Sequence, residues 1–337
     1  MAKVLIIGAG VAGASAALAL EQAGWDVVVV DKARRPGGRC ATRRLSADPN
    51  SPWFDYGAQY FTARTAPFRE RVARDLEADI LARWTPQVCV AERGEHGWQL
   101  TPSPDDRERL VGPNGLNHWV RYLFEQADID VRCGQGVRGL YRSAKGWRAD
   151  LGEHGHLHAD AVVLTTPAVQ ATALLGERAQ AFPVLAEARH RLSPCHSLVV
   201  AAPAVPDCQA LFVHQGPLSW CADNSHKAGQ THSDARLWTL HAGPQFSAEH
   251  LEDTPESIAT TLTREFADIT GSSTRQMRLV RTHRWRYARP GPVAEALDPP
   301  CQAVTGERIV LAGDWLAGGR VEGAWRSGAA AAAQLTG

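Results

Sequence analysis

The apolar run Val4–Ile7 ends in Gly8-Ala9-Gly10-Val11-Ala12-Gly13, and no other stretch restricts the fold of the chain as strongly. Four consecutive apolar residues suit a parallel strand buried on both faces. Small residues up to about Ala23 predict a helix that stops at Gly24, and Asp26–Val30 predicts a second strand closed by Asp31. The order is strand, tight turn, helix, strand, acid. Gly8 makes the turn, Gly10 lets backbone approach a pyrophosphate, and Gly13 lets the helix lie against the sheet, so a βαβ dinucleotide cradle is expected. The N–H groups at the helix start, around Ala12, face the phosphates. Asp31 is placed to accept hydrogen bonds from a ribose, and Lys32 belongs to the same cradle.

The same stretch is apolar and small enough to suggest a signal peptide, but three glycines at cradle spacing and an acid after the next strand explain it better. No other segment approaches the ~20 apolar residues of a membrane helix. Lysine plus arginine and aspartate plus glutamate stand at 36 each, so no overall field draws nucleic acid or a membrane, and neither is expected as a partner. The cysteines, seven in all, are scattered and never form Cys-x-x-Cys. This points to a reducing cytoplasm and away from a disulfide framework or a metal site.

A second grip follows the second strand. In Arg34-Arg35-Pro36-Gly37-Gly38-Arg39, the glycines bring bare backbone to a diphosphate and Arg39 neutralises its charge. Near the other end, the strand-like Arg308–Leu311 leads into Gly313-Asp314, and a helix starts near Val321-Glu322-Gly323-Ala324. Ligands of open α/β sheets lie at the carboxyl ends of the strands, so Gly313, Asp314, Val321, Glu322 and Ala324 are expected at the same crevice. The helix dipole there would stabilise the negative charge of a reduced isoalloxazine, and Asp314 would bond the ribityl or phosphate region.

These stretches together resemble the FAD domain shared by amine oxidases and their relatives. More narrowly, Phe54-Asp55-Tyr56-Gly57-Ala58-Gln59-Tyr60-Phe61-Thr62, His283-Arg284-Trp285-Arg286-Tyr287-Ala288-Arg289-Pro290 and Arg320-Val321-Glu322-Gly323-Ala324-Trp325 resemble the bacterial renalase-like flavoproteins. The likeness covers nearly the whole chain, and these three motifs are more specific than the glycine motif. It implies FAD as cofactor, with Ala58, Gln59 and Tyr60 against the flavin and Val137 also touching the cofactor. The residue after Gly-Gly-Arg is usually methionine in such proteins and is Cys40 here. Cysteinyl links to flavin in amine oxidases come from the C-terminal part of the chain, where no cysteine follows Cys301, so non-covalent FAD is expected.

The expected fold class is α/β: a Rossmann-type FAD-binding domain on a parallel sheet, plus a second domain of largely antiparallel sheet and helices. The flavin signatures lie at opposite ends, so this domain is discontinuous. Residues 1–67, 113–184 and 291–337 are assigned to it, and 68–112 and 185–290 to the substrate domain. A return segment is read as a helix over His118–Gln126 and strands near Asp128–Cys133, Val137–Tyr141 and Ala161–Leu164. The substrate domain is read from strands at Ser197–Ala201, Leu237–His241 and Met277–Thr282 beside a helix at Pro255–Ile269.

An enzyme that passes hydride to a flavin needs a flat slot over the ring rather than a nucleophile. Tyr60 and Trp285, with Trp220 as a weaker candidate, are expected as its walls, and Asn224 and His241 as its polar contacts. The resemblance implies oxidation of 2- or 6-dihydro isomers of NAD(P)H. Hydride would pass to flavin N5, restoring NAD(P)+, and dioxygen would be reduced to hydrogen peroxide. The ring nitrogen lone pair pushes the electrons, so binding and orientation suffice without a general base. Flavin amine oxidases commonly hold a water near N5 on a lysine, and of Lys3, Lys32, Lys145 and Lys227 only Lys227 is placed for that. An amine or amino-acid oxidase is the alternative, and a non-catalytic flavin-binding redox sensor the second.

Overall fold

Val4, Leu5, Ile6 and Ile7 pair on both edges, with Ala161–Leu164 on one side and Val27–Val30 on the other, and all four are buried. An unbroken apolar tetrapeptide belongs in such a central strand, where neither face meets water. The sheet runs Gln302–Val304, Ile309–Leu311, Ala161–Leu164, Lys3–Ile7, Asp26–Asp31, Asp130–Cys133, parallel except for the Gln302–Val304 edge. The computed structural model describes residues 1–230, 236–290, 297–304 and 306–337. The expected domain segment that opens with residues 291–296 therefore begins outside the described residues.

Helices Val11–Gln22 and Arg320–Thr336 share one face of this sheet. They touch at backbone distance: a Cβ on Gly328 would lie 2.1 Å from the Ala12 carbonyl oxygen, and Ser15 Oγ donates to Trp325 O at 2.8 Å. The opposite face is covered by a three-stranded antiparallel meander, Gly139–Ser143, Gly146–Asp150 and His156–Ala159, with helix Ala168–Leu175. The strand expected from Val137 begins at Gly139, leaving Val137 in the preceding loop.

A seven-stranded sheet forms the second layer: Arg278–Pro290, Leu192–Ala202, Arg236–Ala242, Leu218–Asp223, Ala210–Val213, Val88–Gly94 and Gly97–Pro102. It is antiparallel apart from the Ala210–Val213 pairing with Val88–Gly94. Leu198, Val200, Trp238 and Leu240 pack beneath helix Pro255–Thr270, which Thr254 caps at its start and Gly271 ends in a left-handed turn. Val199, Ala201 and Leu237, of opposite parity, pack with Phe54. Strand alternation thus turns one face of the sheet toward the Trp53–Tyr60 segment.

Residues 68–81, expected with the substrate domain, pack instead in the parallel-sheet core. Phe68 and Val72 sit one turn apart on helix Ala66–Glu77 and share a cluster with Ala14, Trp119 and Leu123. Its buried Arg71–Asp75 pair takes the Trp119 indole N–H at 2.8 Å. Ala82–Trp84 pairs with Arg109–Val111 in a separate ladder, so from residues 68–112 only Val88–Gly94 and Gly97–Pro102 join the second sheet.

Candidate active site

The glycines of the first turn separate by what surrounds them. Gly8 has φ +119° with Thr165 Oγ1 2.5 Å from its would-be Cβ, and a Cβ on Gly13 would meet the Gly8 carbonyl oxygen at 2.0 Å. The fold itself demands both. Nothing lies within 4 Å of a Cβ on Gly10. The Gly37-Gly38 turn closes in beside that gap: Gly37 N donates to Ala9 O at 2.9 Å, and Gly38 adopts φ +54°. No side chain caps helix Val11–Gln22 at Gly10, so its first N–H groups remain for a ligand.

Asp31, Lys32 and Val137 meet at one end of this crevice. The Asp31 oxygens accept from Ala9 N and Ala33 N, each at 2.7 Å, and each oxygen keeps a lone pair. Gly134 N bonds Ala33 O at 2.7 Å and Gln135 N bonds Asp31 O at 3.0 Å, fastening the Gly134–Arg138 loop alongside. A recess of about 230 Å³ lies between this loop and the Leu151–His154 turn, lined by Gly134, Gly136, Val137, Arg138, Leu151, Glu153 and His154.

Arg39 and Asp314 meet at the other end. Arg39 Nη1 lies 3.0 Å from Asp314 Oδ2 while Nη2 binds Oδ1, and Nη1 also donates to Ala288 O at 3.2 Å. Ala58 N donates to Arg39 O at 2.8 Å, and a Cβ on Gly57 would stand 2.0 Å from that oxygen, so Gly57-Ala58-Gln59 runs flush against it. Gly313 N is held by Ser327 Oγ at 2.8 Å. The last helix begins at Arg320 without a side-chain cap, with Val321 in its first turn and Ala324 just beyond. The Glu322 carboxylate is directed elsewhere: it accepts from Arg64 N at 3.0 Å, Thr65 N at 2.7 Å and Thr65 Oγ1 at 2.6 Å. It therefore clamps the start of helix Ala66–Glu77 and leaves only its backbone for a ligand.

Gln59 links the crevice to the second sheet. Its Nε2 donates to Asp55 O at 2.6 Å and Gly57 O at 3.1 Å, and its Oε1 accepts from Lys227 Nζ at 3.2 Å. Lys227 also donates to Asp55 Oδ2 and Asn224 Oδ1, both at 2.9 Å. Three ammonium protons thus have three acceptors. Burial pulls the Lys227 pKa down while Asp55 opposes the shift. Asn224, expected as a substrate contact, is equally committed: Oδ1 also accepts from Asp55 N at 3.0 Å, and Nδ2 donates to Leu237 O at 3.3 Å and Thr239 Oγ1 at 2.8 Å. All its donors and acceptors are spent inside the protein, so it holds Asp55 and Lys227 in place.

A cross-strand row of side chains lies on the sheet face that meets the Phe54–Tyr56 segment. His283 stands opposite Ser197, Ser197 opposite His241, and His241 opposite Trp220, and directly opposed residues share a face. Tyr56 stacks on Trp285 at 5.6 Å and 19° and meets His283 edge-on at 5.1 Å. Its carbonyl accepts from Trp285 Nε1 at 3.0 Å and Ser197 Oγ at 2.7 Å. Tyr60 packs 5.5 Å from Trp220, with the Arg109 guanidinium 5.2 Å over its ring. Trp285 and Tyr60 thus hold opposite ends of the row, with His241 between them. His241 Nε2 is buried without a hydrogen-bond partner. Burial, then Arg289, pushes its pKa down to about 4. Burial, then Arg281 and Arg43, does the same to His283. Both rings are neutral at pH 7. Burial, then Asp55, raises the Cys40 thiol to about 12, which leaves it protonated and unreactive.

Residues 6–76 match the family model for an NAD(P)-binding Rossmann-like domain, and residues 88–336 that for flavin containing amine oxidoreductase. The chain belongs to the flavin containing amine oxidoreductase family. Membership of this family implies FAD as the cofactor. The crevice fits FAD: an open gap at Gly10 and two uncapped helix starts suit an extended diphosphate. Among curated relatives, Protein FLOWERING LOCUS D of Arabidopsis thaliana is 32% identical over 146 residues, 43% of this chain and 18% of that protein. All-trans-retinol 13,14-reductase of Macaca fascicularis is 31% identical over 126 residues, 37% of this chain and 18% of that protein. The chain thus spans less than a fifth of the length of the curated relatives it matches. Cyclohexylamine oxidase from Brevibacterium oxydans IH-35A superposes with a TM-score of 0.75 at 15% identity, covering 99% of this chain and 98% of that one. An oxidoreductase from Methanosarcina mazei does so with a TM-score of 0.70 at 14% identity, covering 97% and 98%. At such identities these structures share the fold of this amine oxidoreductase family member.

Sequence reasoning did not single out Tyr56, His283 or Arg281 for the slot. The available signal was alternation: 281, 283 and 285 share one strand face beside a segment already judged to lie on the flavin.

Proposed function

We propose that the protein oxidises 2- or 6-dihydro isomers of NAD(P)H to NAD(P)+, with dioxygen and a proton leaving as hydrogen peroxide. Bound FAD supplies the two-electron acceptor. The observation that carries the reading is Lys227, whose three protons are spent on Asp55, Asn224 and Gln59. It has none left to hold a water at the crevice. His241 is no substitute base for an amine, because moving a proton from an alkylammonium near pKa 10 to a group near 4 is uphill by about a millionfold. A dihydronicotinamide yields hydride without deprotonation, so orientation is the task left to the protein.

FAD would be held non-covalently. Gly8, Gly10, Ala12, Gly13, Gly38 and Arg39 would surround the diphosphate, and Asp31, Lys32 and Val137 the adenosine. Gly313 and Asp314 would meet the ribityl region, and Ala58, Gln59, Tyr60, Val321, Ala324 and the Glu322 backbone the flavin. Trp285 and Tyr60 would confine the nicotinamide, and the unpartnered His241 Nε2 would hydrogen-bond its polar edge. Neutral imidazole suits that task. Unpaired cysteines suit a cytoplasmic setting, and no helix among the described residues is long and apolar enough to cross a membrane.

The match to amine oxidoreductases over residues 88–336 favours a second reading, oxidation of an amine or amino acid. Anaerobic mixing separates the two. Isomeric dihydronicotinamides should bleach the flavin within seconds while simple amines leave it yellow; the reverse pattern would select the amine.

A further inference from the structure

Arg281 lies 4.6 Å over the Tyr56 ring, and its Nε is buried without a hydrogen-bond partner. Register brings Arg43 to the same place. Thr42–Arg44 pairs with Trp53–Asp55 so that Arg43 stands opposite Phe54 and shares its face. Phe54 packs with Val199, the sheet partner of Arg281. Nearby buried carboxylates are already taken, Asp55 by Lys227, Asp223 by Arg236 and Asp314 by Arg39, and no salt bridge among the described residues involves Arg43 or Arg281. Burial and then repulsion from Arg43 lower the Arg281 pKa. A partly buried guanidinium such as Arg281, with a second cation beside it and no counter-ion, is costly unless an anion joins them.

We propose that Arg43 and Arg281 form an oxyanion subsite at the Tyr56–Trp285 end of the slot, which takes a phosphate of the substrate. It rests on the dihydronicotinamide reading and adds where the diphosphate of such a substrate is gripped. Guanidinium forks match phosphate oxygens bidentately. The same pair repels an ammonium, so it also selects against cationic amines. A carboxylate offers related oxyanion chemistry, and the test separates the two sources.

FAD-loaded protein, whose own diphosphate grip is filled, is titrated calorimetrically with inorganic pyrophosphate and separately with benzoate. Pyrophosphate should bind, about tenfold or more weakly in Arg281→Gln and in Arg43→Gln, with Arg281→Lys intermediate. Equal pyrophosphate affinity in wild type and both variants, or no binding at all, overturns the subsite. Benzoate binding that exceeds pyrophosphate binding and is lost in the same variants assigns a carboxylate and overturns the phosphate. Arg43 is exposed, so Arg43→Gln remains decisive should Arg281→Gln fail to fold. In turnover, Arg281→Gln should lower kcat/KM for the isomeric dinucleotide about tenfold more than it lowers that for the phosphate-free dihydronicotinamide riboside. Absence of bleaching by any isomer in wild type defeats the functional reading, while intact bleaching with unchanged pyrophosphate binding defeats only the subsite.

Discussion

Lys227 Nζ lies 2.9 Å from Asp55 Oδ2, and neither side chain is exposed to solvent. Asp55 also accepts through Oδ1 from Thr42 Oγ1 and, at 3.0 Å, from Leu116 N. Its own carbonyl takes Thr239 Oγ1 at 2.7 Å. Asp55 therefore ties the start of helix Leu116–Glu125, the short strand Thr42–Arg44 and Lys227 together through its carboxylate, and strand Arg236–Ala242 through its carbonyl. Such a pair fixes geometry more than it adds net stability, but breaking it is expensive.

Lys227→Met strands a buried carboxylate and should cost about 3–5 kcal/mol in denaturant unfolding of the FAD-loaded protein. Adding Asp55→Asn should recover part of the loss. A Lys227→Met protein of unchanged stability but without turnover would give the lysine a chemical role instead.

Gly10→Ala and Gly13→Ala should part company. The first places its methyl in open space, so the chain folds but retains FAD poorly; the second drives a methyl against the Gly8 carbonyl and lowers the melting temperature of the apoprotein. Flavin content and thermal unfolding of the two variants, measured together, check this.

Asp314→Ala removes both acceptors of the Arg39 fork. Flavin retention should weaken by about tenfold or more, read as FAD released on gel filtration. Equal retention would remove Asp314 from the cofactor's surroundings.

Trp285→Ala leaves the cradle intact while deleting the stack on Tyr56 and the hydrogen bond to its carbonyl. The protein should stay yellow and lose about tenfold or more in kcat/KM. Normal turnover would take Trp285 out of the slot.

Acid should destabilise the fold through His241. Its pKa falls from 6.5 to about 4 on folding, so between these values the unfolded chain binds more protons and stability rises with pH. Above about pH 6.5 both states are neutral and the slope vanishes. The loss on acidification to pH 4 is at most ~3 kcal/mol for this residue, and His283 acts in the same direction. His241→Gln should flatten the stability profile between pH 4 and 6.5; an unchanged profile would show that the imidazole is not desolvated.

The nucleotide cradle is legible in the chain because local constraints coincide there. Val4–Ile7 suits only a strand buried on both faces, Gly13 tolerates no side chain, and Asp31 ends the next strand. The long helix Arg320–Thr336 is announced by its small residues, since Gly328 must pass the Ala12 carbonyl. Other features depend on register between distant strands. That Asn224 is saturated follows from where Leu237 and Thr239 fall, and the neutrality of His283 from its burial, with Arg281 and Arg43 then arriving beside it. The helix Ala66–Glu77 shows an apolar stripe but no mark of which sheet it will cover.

The Arg39–Asp314 pair spans 275 positions, and this separation orders the birth of the holoenzyme. A ribosome releases the Gly8–Gly13 loop and Arg39 long before their counterpart exists, so a nascent chain carries half a clasp. The clasp is complete only once Asp314 has been made, and by then every strand of the antiparallel sheet has already been synthesised.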